Sequence, residues 1–209
     1  NIALVGAASD GHERVVELLL QHGAEVNLQD SNGNTALMGA ANGHERGVEL
    51  LIRRGAEIDL RDSDGDTALM TAAANGHERV VDLLLLHDAE IDLQNSNGNT
   101  ALMYASGFDH LQVVDLLLRR GAEVNLQSSD GVTALMCAAD NGHPAVVLHL
   151  LRAGADAALC SASGKTALQM AKEEGHAECV RAFEEHSSTA AQAEAGAAAE
   201  VVEARDAAE

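Results

Sequence analysis

The sequence predicts an all-α fold, an α-solenoid of helix-turn-helix units with hairpin turns between them. The first observation is a repeat: Ala-Leu-Met recurs at 36–38, 68–70, 101–103 and 134–136, a period of 33 residues with one step of 32. The second is that each copy joins a short apolar helical pattern to a longer one through Gly-containing turns. Units of this length bury a continuous core by stacking on their neighbours.

The unit 62–94 shows how each element arises. Residues 62–66 are rich in Asp, Ser and Gly and predict a turn in which Gly65 takes a positive φ. Thr67 can cap a short helix of small residues that ends at an Asn-Gly pair. A second, amphipathic helix covers 77–86, and Asp88 can end it because Asp tolerates the left-handed conformation.

A turn, two antiparallel helices and a 33-residue period resemble the ankyrin repeat, whose Thr-Pro-Leu-His-x-Ala signature stands here as Thr-Ala-Leu-Met-x-Ala. The resemblance covers residues 1–186 and implies six units. Their predicted bounds are 1–29 (truncated), 30–61, 62–94, 95–127, 128–160 and 161–186 (a polar capping unit). The remaining segment, 187–209, is rich in Ala and Glu, and we expect it to be disordered or a marginal helix.

Two columns of equivalent residues run through the units. The methionines of the Ala-Leu-Met triplets are expected to pack in the core between units. The histidines recur in one register, at His12, His44, His77, His110, His143 and His176. Neighbouring helices pack about 8–10 Å apart, too far for successive histidines to share zinc ions. We expect these histidines to occupy helix starts and to bond neighbouring turns, as in the family.

The second unit differs from the others in three ways. It has one residue fewer between its first helix and the following turn, and it carries Gly39 and Gly47 inside its helices. Because glycine weakens a helix and buries no side chain, this unit is expected to be the least stable layer of the array. At the start of the chain, Ile2 and Val5 are apolar where a terminal unit has a polar face. We therefore expect further repeats or another domain upstream.

The charge limits the class of partner. With 13 Lys and Arg against 33 Asp and Glu, the formal net charge is −20, which argues against nucleic acid, whose phosphates are bound by basic patches. A basic partner protein is favoured, although the acidity could serve only solubility. Three cysteines without a Cys-x-x-Cys pair, no signal peptide and no membrane-length apolar run predict a cytoplasmic or nuclear protein that contacts no membrane.

The chain carries no recognisable motif for catalysis, metal binding or cofactor binding. The alternating aspartates of residues 62–66 resemble the start of a calcium-binding loop. However, the glycine comes too early, and the twelfth position, Ala73, has no carboxylate. Cys137 lies six residues before His143, yet a turn separates them and nothing in the sequence orients the pair. We therefore predict a protein that is not an enzyme and has no cofactor or metal.

In the ankyrin family, partners are held on the concave side by the hairpin tips and by exposed positions of the first helices. The polar positions of this sequence that match are Asp64, Asp66, Thr71, Asn75, Asn97, Asn99, Asp130 and Asn141. Tyr104 and Phe108 are the predicted centre, because they lie four residues apart on one helix face. Since the residues equivalent to Phe108 in the other full-length units are polar, Phe108 is predicted to be exposed. An alternative is that its ring folds over Gly107 and Asp109 to cover an irregular helix end.

These observations predict a monomeric protein-protein interaction module. The alternative is that the array orients or tethers a catalytic domain that lies outside this sequence.

Overall fold

The computed structural model describes residues 2–189, and all regular secondary structure in that range is helical, which confirms the predicted all-α fold. The helices are α1 (Ile2–Ser9), α2 (Glu13–Gln21), α3 (Ala36–Ala40), α4 (Glu45–Arg53), α5 (Ala68–Ala74), α6 (Glu78–Leu86), α7 (Ala101–Gly107), α8 (Leu111–Arg119), α9 (Ala134–Asp140), α10 (Pro144–Arg152), α11 (Ala167–Glu173) and α12 (177–189). Along the stack from α1 to α11, each odd-numbered helix packs on the next odd-numbered one, and α2 to α10 form a second row. The array is therefore two helices deep.

The first helix of each inner unit begins at a threonine cap, as predicted. The Thr67 hydroxyl accepts a hydrogen bond from the Met70 amide at 3.3 Å. Thr35, Thr100, Thr133 and Thr166 likewise accept from the amide three residues later. The predicted positive φ angles are also present, at 82° for Gly65 and 66° for Asp88. Local turn chemistry thus sets the two ends of each helix pair.

The core lies between successive units. Met38, Met70, Met103 and Met136 are between 1% and 4% exposed, so the predicted packing role of the methionine column is confirmed. Val80, Val81 and Leu84 form the buried side of α6. Thin layers of Ala, Val, Leu and Met let the helices approach closely. In the four inner units, none of the buried core residues is aromatic, although the half-buried Tyr104 packs against them.

Four of the histidines join their unit to the one before it. The Nε2 atoms of His44, His110, His143 and His176 donate to carbonyl oxygens of Ser9, Ala74, Gly107 and Asp140 at 2.8 to 3.0 Å. His44, His110 and His143 occupy N-cap positions of second helices without capping them through their side chains. Within the described residues, His77 makes no such bond to the shortened second unit, and burial lowers its pKa.

The two glycines of the second unit differ in their surroundings. A Cβ atom at Gly39 would lie 2.5 Å from Ser9 Oγ and 3.1 Å from the Val5 carbonyl oxygen, so α1 and α3 can approach only because this residue has no side chain. A Cβ atom at Gly47 would meet Ala40 Cβ at 3.4 Å, an ordinary contact. The sequence interpretation that Gly39 only weakens its helix therefore needs correction, because packing requires glycine there. That Gly47 weakens the second unit stays a prediction.

At the end of the described range, α12 continues through residue 189, three residues into the segment predicted as a tail. The rest of that segment, 190–209, lies outside the described residues. Among the helices of the described part, none is long and apolar enough to cross a membrane.

Candidate functional site

The candidate site is a groove between α7 and α9, on the surface formed by the first helices. It has a volume of about 230 Å³ and is lined by Asn99, Met103, Tyr104, Gly107, Phe108, Cys137 and Asn141. Asn99 precedes α7 and Asn141 ends α9, so the amide groups stand near opposite ends of the groove. The structure thus brings together four of the predicted residues, Asn99, Tyr104, Phe108 and Asn141.

Phe108 is exposed, as predicted, with 59% of its surface accessible. Its ring centroid lies 6.5 Å from that of His110 in a tilted arrangement. Phe108 occupies the C-cap position of α7, where the equivalent Asn75 and Asn141 donate from Nδ2 to the carbonyl four residues earlier at 2.9 Å. A phenylalanine cannot make that bond. The aromatic ring therefore replaces a helix-stabilising amide at an exposed position.

Tyr104 differs from the prediction of a freely exposed residue, because its hydroxyl is held by the preceding unit. The hydroxyl donates to Asp66 Oδ1 at 3.1 Å and accepts from Asn95 Nδ2 at 3.0 Å, while the same Nδ2 donates to Asp66 Oδ1 at 2.7 Å. The residue is half-buried. Its ring is thus a rigid wall of the groove, and Asp66 supports that wall.

This network has electrostatic consequences. Desolvation raises the pKa of Asp66, although the hydrogen bonds from Asn95 and Tyr104 oppose the shift. Desolvation also raises the pKa of Tyr104, and the negative charge of Asp66 adds to it. A carboxylate supported only by neutral donors is incompletely compensated, and an approaching cation would stabilise it.

The hairpin tips form a second, extended part of the surface. The amides of Ser63, Ser96, Ser129 and Ala162 donate to the carbonyls of Asn32, Asp64, Asn97 and Asp130 at 2.7 to 3.0 Å, so adjacent tips are joined through their backbones. The side chains of Asp64, Asn97 and Asp130 are exposed. These three residues, with Thr71 and Asn75 on α5, line the surface without contributing to the groove.

The turns explain why Asp62, Asp64 and Asp66 resemble a calcium loop. Asp62 Oδ1 accepts hydrogen bonds from the Asp64 and Asp66 amides at 2.9 and 2.8 Å, so this carboxylate stabilises its own turn. Asn95 does the same in the next unit. In the described part of the chain, no three His, Cys, Asp or Glu side chains are arranged so that they could hold a metal ion.

Charge is distributed unequally between the two helix rows. The first-helix stretches of units three to five, residues 62–77, 95–110 and 128–143, contain six Asp and no Lys or Arg. In the second-helix row, by contrast, arginines pair with carboxylates. Arg79 pairs with Glu45, Arg119 with Asp115 and Arg120 with Asp82. In the three central units, the acidic residues of the first-helix stretches therefore have no Lys or Arg in the same stretches.

Cys137 is unsuited to nucleophilic chemistry. Burial raises the pKa of its thiol to about 11, and the charge of Asp140 adds to this effect. A reactive thiol needs the opposite shift. His143, the only candidate base that the sequence suggested, donates its Nε2 proton to the Gly107 carbonyl at 2.9 Å. Cys137 instead gives the groove a neutral, apolar wall.

Sequence interpretation missed three features of the site. Ser106 is fully buried and its hydroxyl has no hydrogen-bond partner, where equivalent units carry Ala73 and Ala139. Gly107 stands where these units have Ala74 and Asp140, and it opens the groove. Asp109 adopts a φ of 61° at a position that is glycine in the other units. An in-register comparison of residues 104–109 with 71–76 shows the three replacements, but the unpaired hydroxyl, the groove and the positive φ of Asp109 come from the structure.

A family model described as ankyrin repeats (3 copies) matches residues 1–62, 40–128, 69–159 and 118–195. A comparison with curated proteins finds no match. Ankyrin repeats generally serve as protein-protein interaction modules and are typically not catalysts. Since the overlapping matches extend over most of the sequence, and the helix pairs have the expected order, the chain belongs to the ankyrin repeat family.

Proposed function

We propose that this protein binds a partner protein on the concave face formed by its first helices and hairpin tips, with Phe108 at the centre. The observation that carries the proposal is the exposure of Phe108, 59%, beside a groove walled by the anchored ring of Tyr104. Aromatic side chains at the centre of an interface each contribute about 2 kcal/mol or more when buried. The polar residues Asp64, Asn97, Asn99, Asp130, Thr71, Asn75 and Asn141 would supply the rim.

The partner is proposed to be basic. Six Asp without a Lys or Arg on the first-helix stretches of the three central units favour a positively charged surface. Such an association is sensitive to salt, because screening weakens attraction between exposed charges. Affinity that does not change between low and high salt would contradict this part of the proposal.

We further propose that the protein acts as a monomer in the cytoplasm or nucleus, without catalysis of its own. The motivation for this compartment is the pattern of three cysteines, Cys137, Cys160 and Cys179, without a Cys-x-x-Cys pair. Light scattering after gel filtration tests the oligomeric state.

The test compares two exposed apolar side chains. Phe108→Ala removes the proposed anchor, and Leu86→Ala removes a side chain that is 63% exposed on α6, in the other helix row. Proteins captured from a cell lysate by the immobilised wild-type chain are identified by mass spectrometry, and the affinity of a purified candidate is then measured for both variants. We expect Phe108→Ala to weaken binding at least tenfold, because about 1.4 kcal/mol is a factor of ten.

The control variant and the thermal stability separate binding from folding. Leu86→Ala is expected to bind like the wild type, and both variants are expected to melt close to the wild-type temperature. If Phe108→Ala binds normally but melts several degrees lower, the ring is a packing element and the proposed anchor is wrong.

A further inference from the structure

Gly107 is a helical glycine that the fold does not require. It is the last residue of α7 and has no positive φ, so the backbone does not need glycine there. A Cβ atom built at this position would meet Cys137 Cβ at 3.7 Å and Asn141 Nδ2 at 3.8 Å, both ordinary contacts. Alanine would therefore fit and would favour the helix.

Gly39 provides the contrast. It also lies inside a first helix, but there a Cβ atom would approach Ser9 Oγ to 2.5 Å and the Val5 carbonyl oxygen to 3.1 Å. Packing explains glycine at 39 and leaves glycine at 107 unexplained. Because Gly107 has no side chain, the space between α7 and α9 stays open and forms the groove.

The walls of this space are neutral and largely apolar. Met103, only 3% exposed, lies at the bottom, and the ring of Phe108 and the thiol of Cys137 stand at the sides. The amide groups of Asn99 and Asn141 near the ends can bond the backbone of an extended segment. Beyond the groove, Asp109 and Asp140 add negative charge, and their own first-helix stretches, 95–110 and 128–143, contain no Lys or Arg.

We infer that the groove accepts one large aliphatic side chain, such as Leu or Met, from an extended peptide segment with Lys or Arg beside it, and that Gly107 sets the size of side chain accepted. This inference rests on the proposed function and specifies the chemistry of its partner. The aliphatic group fills the gap that a residue at 107 would otherwise occupy. The flanking cations complement the aspartates of the central first-helix stretches, which contain no Lys or Arg.

The probe is a phage-displayed library of random 12-residue peptides, selected on the immobilised wild-type protein. We expect the enriched peptides to share one aliphatic residue flanked by Lys or Arg. Representative peptides are then synthesised, and their dissociation constants are measured by fluorescence polarisation for the wild type and for Gly107→Ala. The variant is expected to bind at least tenfold more weakly, while a peptide with Ala at the aliphatic position should bind both proteins equally.

Gly47→Ala is the matched control, because it makes the same change in a buried part of α4, away from the groove. It should bind the peptides like the wild type. Selection without a shared aliphatic residue next to a base, failure to enrich any peptide, or equal binding by Gly107→Ala would each overturn the inference.

The outcomes for two variants separate this inference from the proposed function. If Phe108→Ala loses the captured partner while Gly107→Ala retains it and the selected peptides, the surface is the binding surface and only the inference about the gap fails. If Phe108→Ala retains the partner as well, the proposed function fails with it.

Discussion

Alanine in place of the two glycines of the second unit should change stability in opposite directions. Both Gly39 and Gly47 lie inside helices, α3 and α4, so alanine at either site gains about 0.8–1.0 kcal/mol of helix propensity. What differs is the space for the added methyl group. The sign of the effect therefore depends on the packing distances and cannot come from propensity.

At Gly47 the new Cβ atom would lie 3.4 Å from Ala40 Cβ and 3.6 Å from His44 Cβ. These are ordinary contacts, and burying one methyl group adds about 0.8 kcal/mol. With the propensity term, Gly47→Ala should stabilise the protein by about 1–2 kcal/mol.

At Gly39 the new Cβ atom would lie 2.5 Å from Ser9 Oγ and 3.1 Å from both the Ser9 amide nitrogen and the Val5 carbonyl oxygen. The hydroxyl can rotate, but it would then lose its 3.0 Å bond to the Val5 carbonyl. The backbone atoms can move only if α1 shifts as a whole. Overpacking of this kind costs about 1–3 kcal/mol, which offsets or exceeds the gain in propensity. A net destabilisation of up to about 2 kcal/mol is expected for Gly39→Ala.

Urea unfolding followed by circular dichroism measures both changes, and hydrogen exchange of α3 and α4 amides shows whether they are local. Local measurement matters because a repeat array can unfold in parts. If Gly39→Ala stabilises the protein as much as Gly47→Ala does, the packing distances do not control the outcome and the explanation of Gly39 as a close-approach residue is wrong.

Three further predictions concern stability. Ser106→Ala should stabilise the protein by about 1–3 kcal/mol in urea unfolding, because it removes a buried hydroxyl without a partner at a position where other units have alanine; a loss of stability would reveal an unrecognised bond. Asp66→Asn should raise the melting temperature at pH 7. The pKa of Asp66 is raised in the folded state, so ionisation of this carboxyl destabilises the fold, and the gain should vanish below about pH 4, where the carboxyl is protonated in the wild type as well. A gain in melting temperature that does not depend on pH would contradict this. In hydrogen exchange, amides of 45–52 should exchange before those of 78–85, as expected if the second unit is the weakest layer; equal protection would refute that ranking.

Much of the fold could be predicted because it depends on local chemistry repeated in register. The threonine caps, the buried methionines and the positive φ of Asp88 each follow from residue type and position within one unit. The exposure of Phe108 was also predictable, since the equivalent positions are polar. Repetition provides several examples of each environment, so one sequence contains its own comparison.

Contacts between units were not predictable in the same way. Tyr104 reaches Asp66, 38 residues earlier, and whether the two meet depends on the separation and rotation of successive units. The close approach at Gly39 depends on the distance between α1 and α3. The pattern of a single unit contains neither quantity. The sequence therefore predicted site residues, four of which line the groove, but it did not show that the ring of Tyr104 is held by hydrogen bonds or that a groove exists.

The fourth unit concentrates departures that lower stability within residues 106–109. Ser106 buries an unpaired hydroxyl, Gly107 weakens α7, Phe108 replaces a capping amide, and Asp109 holds a positive φ without being glycine. Stacking on regular neighbours can maintain such a unit, because the stability of an array is a sum over units and their interfaces. Local rules are most often broken where function requires it. At Gly39 the neighbouring helix leaves no space for a Cβ atom, so packing requires glycine. At Gly107 there is space for a Cβ atom, and no other described part of the chain fills it. This difference supports our proposal that a partner completes the surface at the groove beside Phe108.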